Sequence, residues 1–258
     1  MPPQLQINKS TLARVSMLLW GTAGCGKTHF ANTAPGKRLF LNFDPDGTAS
    51  LPLSDDTLLL DYSQEHNRIV SEVKSSNPFN LDTILKENTD IQTLIVDSVT
   101  AFTSKTVDHA VDVVKGATFE NPSIQGYQVR NRYALGLCKS LLLITARYNR
   151  NVIFICHEDS EKNSDGALVL VTVMLGGTLR EEVPLHISEV WHLVDKVSSR
   201  VAQVRSSGMY KPMKSRMFDT SNSYEFEIST SKDPSKITLA ALFQRWRDAN
   251  YDKITIPK

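Results

Sequence analysis

Residues 20–31 read "WGTAGCGKTHFA". Three glycines, a lysine and two threonines lead from the apolar run "RVSMLLW" at 14–20 into a short helical stretch near 27–33. Gly21-Thr22-Ala23-Gly24-Cys25-Gly26-Lys27-Thr28 fits G-x-x-x-x-G-K-[ST], in the strand-then-helix setting that gives this motif its meaning. Successive main-chain N–H groups must curl around phosphate oxygens, so side chains would obstruct and positive φ is needed. The helix N-terminus adds its partial positive charge. Lys27 is expected to reach the β- and γ-phosphates, and Thr28 to place its hydroxyl on Mg²⁺. With His29 following, residues 21–29 form the expected ATP-binding set; the plainer alternative is a glycine-rich turn that only packs tightly.

A P-loop needs a partner for its metal. "TLIVDSV" at 93–99 is a continuous apolar run ending in Asp97, a buried strand delivering one carboxylate at its C-terminal edge. Asp97 is the expected second metal residue, although it or Ser98 could equally cap the next helix. Water activation needs another polar group. Candidates are Asp44 and Asp46 in "FDPDG", which also reads as a plain turn, and Glu158 in "NVIFICHE" at 151–158. His157 ends that strand, where it could sense a γ-phosphate or simply lie at the surface.

The same grammar recurs along the chain. Strands are expected at 37–43, 57–62 and 151–158, with helices at 80–88, 100–115 and 127–149. Tyr127, Leu135, Leu137, Leu141, Leu142 and Ala146 can share one face of the helix at 127–149. Apolar strands alternating with helices imply an α/β fold with a doubly wound, mainly parallel sheet. Past 158 the segments "ALVLVTVML", "EVWHLVDKV", "RVAQVRSS" and "YEFEIS" read as strands of an antiparallel elaboration, and 237–249 as an amphipathic helix. No linker composition separates them, so one domain is expected, with its core at about 14–158 and the elaboration at about 167–250.

Bulk properties exclude several classes. The 258 residues are 41% hydrophobic and 22% charged, enough for a sizeable core, and the net charge of +1 leaves any basic surface local. Cys25, Cys138 and Cys156 form no CxxC pair, which argues against a disulfide framework or zinc site and fits a reducing cytoplasm. "MPPQLQINKS" lacks a signal-peptide core, and apolar runs such as "SLLLITA" are too short to span a membrane.

With "GTAGCGKT", "FDPDG", "LIVDS" and "VIFICHE" in this order, the chain resembles the RecA-like P-loop ATPases. It is most similar to phage-encoded nucleotide-binding proteins of the minimal single-strand annealing recombinase family. "LGGTL" at 175–179 resembles the Gly-Gly segment after the second DNA-binding loop, and "SRVAQVRSSGMYKPMKSR" the strand pair carrying a K-x-R motif. The resemblance implies that strand 152–157 lies between the P-loop strand and the Asp97 strand, setting His157 beside the γ-phosphate. Asp46 falls where relatives carry a catalytic glutamate, one methylene longer, so either slow hydrolysis or a base elsewhere is implied. Lys214 and Arg216 resemble fingers that reach a neighbour's ATP. A homo-oligomeric filament or ring is implied, with a single-strand-binding protein as a further partner, in the host cytoplasm if phage-encoded. The separate N-terminal domain of fuller recombinases is not expected, since about a dozen residues precede the first strand.

DNA contacts are expected from two loops. The first, around 116–132, mixes Lys115, Phe119, Tyr127, Arg130 and Arg132, a composition suited to stacking and backbone binding. The second, 158–175, holds Glu158, Asp159, Glu161 and Asp165 against Lys162, an acidic run that repels DNA. Arg200, Arg205, Lys211, Lys214 and Arg216 form a run unopposed by any acid, suited to phosphate of DNA or nucleotide or else to a solvated hairpin. Arg200 and Arg205 are assigned to DNA. The functional expectation is an ATP-dependent single-strand-binding recombinase; a hexameric motor, a small-molecule kinase and a nucleotide-gated scaffold are the alternatives.

Overall fold

In the computed structural model the described residues are 14–45, 47, 51, 54–65, 69, 71–72, 74–118, 120–230 and 233–257. Asp46, Phe119 and the opening 13 residues lie outside them. β1 (Ser16–Gly21) sits at the middle of a nine-stranded sheet. It runs parallel to β5 (Asn151–Lys162) on one side and to β7 (Glu189–Asp195) on the other. Beyond β5 come β4 (Ile91–Asp97), β2 (Lys37–Asn42) and β3 (Thr57–Asp61), all parallel. Beyond β7 come β8 (Arg200–Gln203) and β10 (Glu225–Glu227), both antiparallel to their neighbours. β6 (Leu168–Val173) pairs antiparallel with the far half of β5. β9 (Phe218–Asp219) and β11 (Ile254–Thr255) form a separate two-stranded pair. This is a doubly wound, mainly parallel α/β fold, with β5 between the P-loop strand and the Asp97 strand.

Strand alternation sends successive residues to opposite faces, and each face has its own core. Leu18, Trp20, Leu94, Val96 and Phe154 pack under α3 (Val99–Val113) and α4 (Ser123–Arg147), together with Phe102 and Leu141. Met17, Leu19, Ile95 and Ile155 face the other way, onto α1 (Lys27–Ala31) and α6 (Leu239–Asp248), where Phe30, Leu242 and Trp246 meet them. α2 (Leu81–Glu87) lies on the first side. α5 (Leu179–Leu185) lies there too, filling a segment with no helical assignment from sequence.

Three expectations change. α4 begins at Ser123, so much of the expected first loop is helix; its buried face is Ala134, Leu137, Cys138, Leu141 and Ile144, while Tyr127 is exposed. The expected acidic loop is largely a hairpin: Glu158–Lys162 pairs with Leu168–Val173, and Asn163–Gly166 closes the turn. Its polar residues hid the strand, but Asp165-Gly166 is a hairpin signal, and Gly166 does carry φ +80°. β7, grouped with the meander by sequence, is a parallel strand against β1.

β1 can approach β7 closely only because Gly21 has no side chain. A Cβ there would sit 2.3 Å from the Leu193 carbonyl oxygen, a backbone atom. Gly21→Ala is expected to destabilise the fold by about 1–3 kcal/mol, as overpacking does. A urea melt reads this directly, and an unchanged midpoint would mean that the strands separate freely.

Candidate nucleotide-binding site

The loop leaving β1 has the geometry of an anion nest. Gly24 has φ +78° and Gly26 φ +95°, both in the left-handed region that favours glycine. At Gly24 a side chain would meet nothing, so conformation rather than space demands the glycine. Gly26 caps α1 and lines a cleft with Ala23, Gly24, Lys27, Thr28, Asp97 and His157. The Lys27 ammonium is buried and donates to the carbonyls of Gly21 (2.9 Å) and Thr22 (2.7 Å). Cys25 is buried beneath the loop, and burial pushes its thiol pKa up.

Across the cleft, Asp97 ends β4 and is 3% exposed. Its carboxylate accepts a hydrogen bond from the Thr28 hydroxyl at 2.7 Å. Ser98 takes the capping role of α3, accepting from the Ala101 N–H, which leaves Asp97 to the site. Burial, reinforced by the nearby Asp44, raises the Asp97 pKa to about 6 against the pull of Thr28 and Lys27. A buried carboxylate held against its preference for water suits a cation beside it. Mg²⁺ binds through one or two carboxylates plus substrate phosphates, and Thr28 and Asp97 are the residues that would hold it, neutralising phosphate charge. Among the described residues no group of three or more His, Cys, Asp and Glu stands ready as a self-sufficient metal cage.

His157 ends the parallel part of β5 and lines the cleft opposite Asp44, with Nε2 3.7 Å from the Asp44 carboxylate. Burial and Lys27 lower its pKa, Asp44 opposing, which favours a neutral ring. Its backbone N–H donates to the Thr100 hydroxyl, fixing the strand end to α3.

Glu158, a candidate for activating water, goes elsewhere. Adjacent residues of a strand face opposite ways, so Glu158 leaves the cleft that His157 faces. Its carboxylate meets the Nε2 of buried His192 at 2.7 Å. His192 is sandwiched between Trp20 and Tyr210, and its Nδ1 lies 3.2 Å from Gln203. Of the acids among the described residues, Asp44 and Asp97 line the cleft.

Arg200, assigned to DNA by sequence, stands at the P-loop instead. It opens β8, and its Nη1 would be 3.0 Å from a Cβ on Gly26. Its Nε donates to Asp195 at 3.2 Å across the β7–β8 turn. His29 lies on the same side, its pKa lowered by burial and then by Arg200. Sequence missed this placement because β8 reaches the loop only through β7's pairing with β1.

The remaining predicted residues lie apart from the cleft. Lys115 is exposed just beyond α3, and Arg132 is exposed on α4. Arg130 stacks over the Tyr127 ring at 5.0 Å and lies against Gly176 and Gly177. Arg205 stacks on Tyr224 and donates to the Thr220 carbonyl. Lys214 and Arg216 sit near the amino end of β7. No helix among the described residues is long and apolar enough to cross a membrane.

A family model described as an AAA domain matches residues 13–227. No curated protein sequence matches the chain significantly. Among solved structures, a crystal structure of the RadB recombinase is similar over 73% of this chain and 79% of that one, at 14% identity and a TM-score of 0.40. A likeness of that size carries no weight for function.

Two outcomes follow from the Asp97 environment. Because its folded pKa is raised, the folded state holds the proton more tightly than the unfolded chain. Its contribution to stability is therefore greatest at acid pH, lost as pH rises from about 4 to about 6, and flat above. Asp97→Asn removes the buried charge and is expected to raise the melting temperature at pH 7.5 without metal, by about 2–4 °C per kcal/mol relieved. The same variant is expected to lose the extra stabilisation that Mg²⁺ adds to ATP. A lower melting temperature in calorimetry would refute this reading. Arg200→Ala is expected to weaken ATP binding about tenfold or more, read by calorimetric titration, with an unchanged fold.

Proposed function

This chain belongs to the AAA domain family, and from that premise we propose an ATP-dependent, single-strand-binding protein of recombinase or annealing type. It works as a homo-oligomer with ATP at the subunit interfaces. The observation that carries the ATP half is the 2.7 Å bond joining Thr28 of the P-loop to buried Asp97, two strands away. Phosphate, metal and the polar strand end at His157 then share one cleft. A ligand there ties β1, β4 and β5 together at their carboxyl ends, and its loss releases them. That is a nucleotide-biased equilibrium between arrangements of the protomer.

Support for the DNA half comes from another surface. Exposed Tyr127 and Arg130 stack together, Arg130 lies against Gly176-Gly177, and Arg132 is exposed nearby on α4. Tyr127 and Arg130, three residues apart, share one ridge of the helix, an aromatic face beside a guanidinium that suits single strands, which present unpaired bases and phosphates. Lys214 and Arg216, both exposed, are available to a neighbouring copy.

Hydrolysis in this proposal is slow. Among the described residues, Glu158 is taken up by His192 and Asp44 is engaged near His157, while Asp46, one methylene shorter than the glutamate of relatives, lies outside them. This favours a switch over a motor.

Fluorescence anisotropy with a labelled single strand tests the proposal. Affinity is expected to need ATP or a non-hydrolysable analogue and to fall steeply between 50 and 200 mM salt, roughly as the number of phosphate contacts dictates. Arg130→Ala with Arg132→Ala is expected to flatten the log–log salt slope by about 1.4, two contacts at about 0.7 each. Lys27→Ala is expected to abolish the nucleotide dependence. Salt-indifferent binding, or none, would reject the DNA half. Rapid DNA-stimulated turnover with strand unwinding would favour the motor.

A further inference from the structure

His192 of β7 is buried, and both of its ring nitrogens are engaged. Nε2 meets a Glu158 carboxylate oxygen, and Nδ1 meets the Gln203 amide oxygen. Glu225 decides which way that amide points. The Gln203 NH₂ donates to one Glu225 carboxylate oxygen at 3.1 Å, and Lys196 takes the other. A carboxylate only accepts, so Gln203 turns its nitrogen to Glu225 and its oxygen to His192. Glu225 stays ionised: against the upward push of burial, Lys196 and Gln203 lower its pKa.

The ring therefore faces an acceptor on each side. A neutral imidazole has one N–H and would leave either Glu158 or Gln203 facing a lone pair. An imidazolium has two and satisfies both. Between a carboxylate and an imidazole the imidazole is the stronger base, so the shared proton resides on the ring. A buried cation needs compensation. Glu158 supplies the opposite charge. Trp20 and Tyr210 stack on the ring at 3.9 and 5.5 Å between centroids, and aromatic faces attract cations. Trp20 is itself held, its indole donating to the Pro212 carbonyl at 3.1 Å. Among the described residues, the groups facing the ring are thus Glu158 from β5, Trp20 from β1, Gln203 from β8 and Tyr210 from the turn at 207–210. Of these, Glu158 and the Tyr210 phenol titrate.

The pair stands where β5 changes partners. Gly21 and His157 form the last parallel pair with β1, and Glu158 and Val173 the first antiparallel pair with β6. The Met174 N–H donates to the His157 carbonyl at 2.8 Å and closes the hairpin stem. Beyond Glu158, the last four residues of β5 are exposed. The ion pair is where the stem is tied across β1 to β7.

We propose that His192 is a buried imidazolium and that its bond to Glu158 is a charge latch, holding the stem of the β5–β6 hairpin to β7. Loss of the second ring proton opens the latch, because one N–H cannot serve two acceptors. Protonation of Glu158 opens it from the acid side. The latch therefore holds between the protonation of Glu158 in acid and the deprotonation of His192 in alkali. His157 precedes Glu158 in the chain, so the latch also fixes the strand end that lines the cleft, a consequence that rests on the proposed nucleotide site.

NMR of the full chain carrying isotopically labelled histidine tests the ring directly at pH 7.5, where a free imidazole has lost its second proton. Both His192 ring nitrogens, assigned through their contacts with the Trp20 indole, are expected to be protonated. Glu158→Gln is expected to remove one of those protons. It is also expected to speed amide exchange in β6 about tenfold or more, as loss of a hydrogen bond to a charged group does. Glu158→Asp keeps the carboxylate and is expected to keep both ring protons, which separates loss of charge from disruption of the stem. An unprotonated ring nitrogen in the unaltered chain, or β6 exchange unmoved by Glu158→Gln, overturns the latch. Calorimetric titration with a non-hydrolysable ATP analogue reads the consequence for the cleft. Glu158→Gln is expected to weaken binding severalfold, and equal affinity refutes the link to His157. An unaltered chain that binds no analogue sinks the nucleotide reading, while the ring protons and hairpin exchange still decide the latch.

Discussion

A buried carboxylate bonded to a threonine hydroxyl organises this molecule. Asp97 is nearly inaccessible, is held at the end of a β4 whose last five residues are buried, and touches the P-loop through Thr28. Burying a charge is unfavourable unless something compensates it. Here the compensation is partial, through one hydroxyl and the nearby Lys27, and the raised pKa records the deficit. A divalent cation with its phosphate ligand would complete it. In the proposed reading, that cation and its phosphate relieve a local instability, and binding and conformation then form one equilibrium.

Sheet topology puts the rest in place around that bond. β5 inserts between β1 and β4, so His157 arrives beside the loop and the carboxylate together. β7 flanks β1 on the other side and brings β8, hence Arg200, to the loop's far edge. The two ends of β1 then differ in character. The carboxyl end carries main-chain donors and an acid, while the amino end carries Arg14 with Lys214 and Arg216.

What the sequence disclosed tracks how local each signal is. The P-loop was legible because G-x-x-x-x-G-K-T encodes its own backbone geometry, and Asp97 because a buried strand ended in an acid. Parallel strands other than β7 were legible as apolar runs, and the order of β1, β5 and β4 followed from the family resemblance. Features set by distant pairing were not legible. Arg200 read as one of several cations in a run, and only the β7–β8 pairing takes it to Gly26. Glu158 read as a cleft acid, but strand alternation turns it to His192, which lies 34 residues on. The inner face of α4 was misread at Tyr127 because helical spacing alone does not say where the sheet stops covering the helix.

The most direct measurement is a crystal structure with a non-hydrolysable ATP analogue and Mg²⁺. The account predicts the phosphates against the main-chain N–H groups of 24–28, the Lys27 ammonium swung from the Gly21 and Thr22 carbonyls onto them, and the cation between Thr28 and Asp97. A nucleotide bound elsewhere, with Lys27 still on those carbonyls, would contradict it.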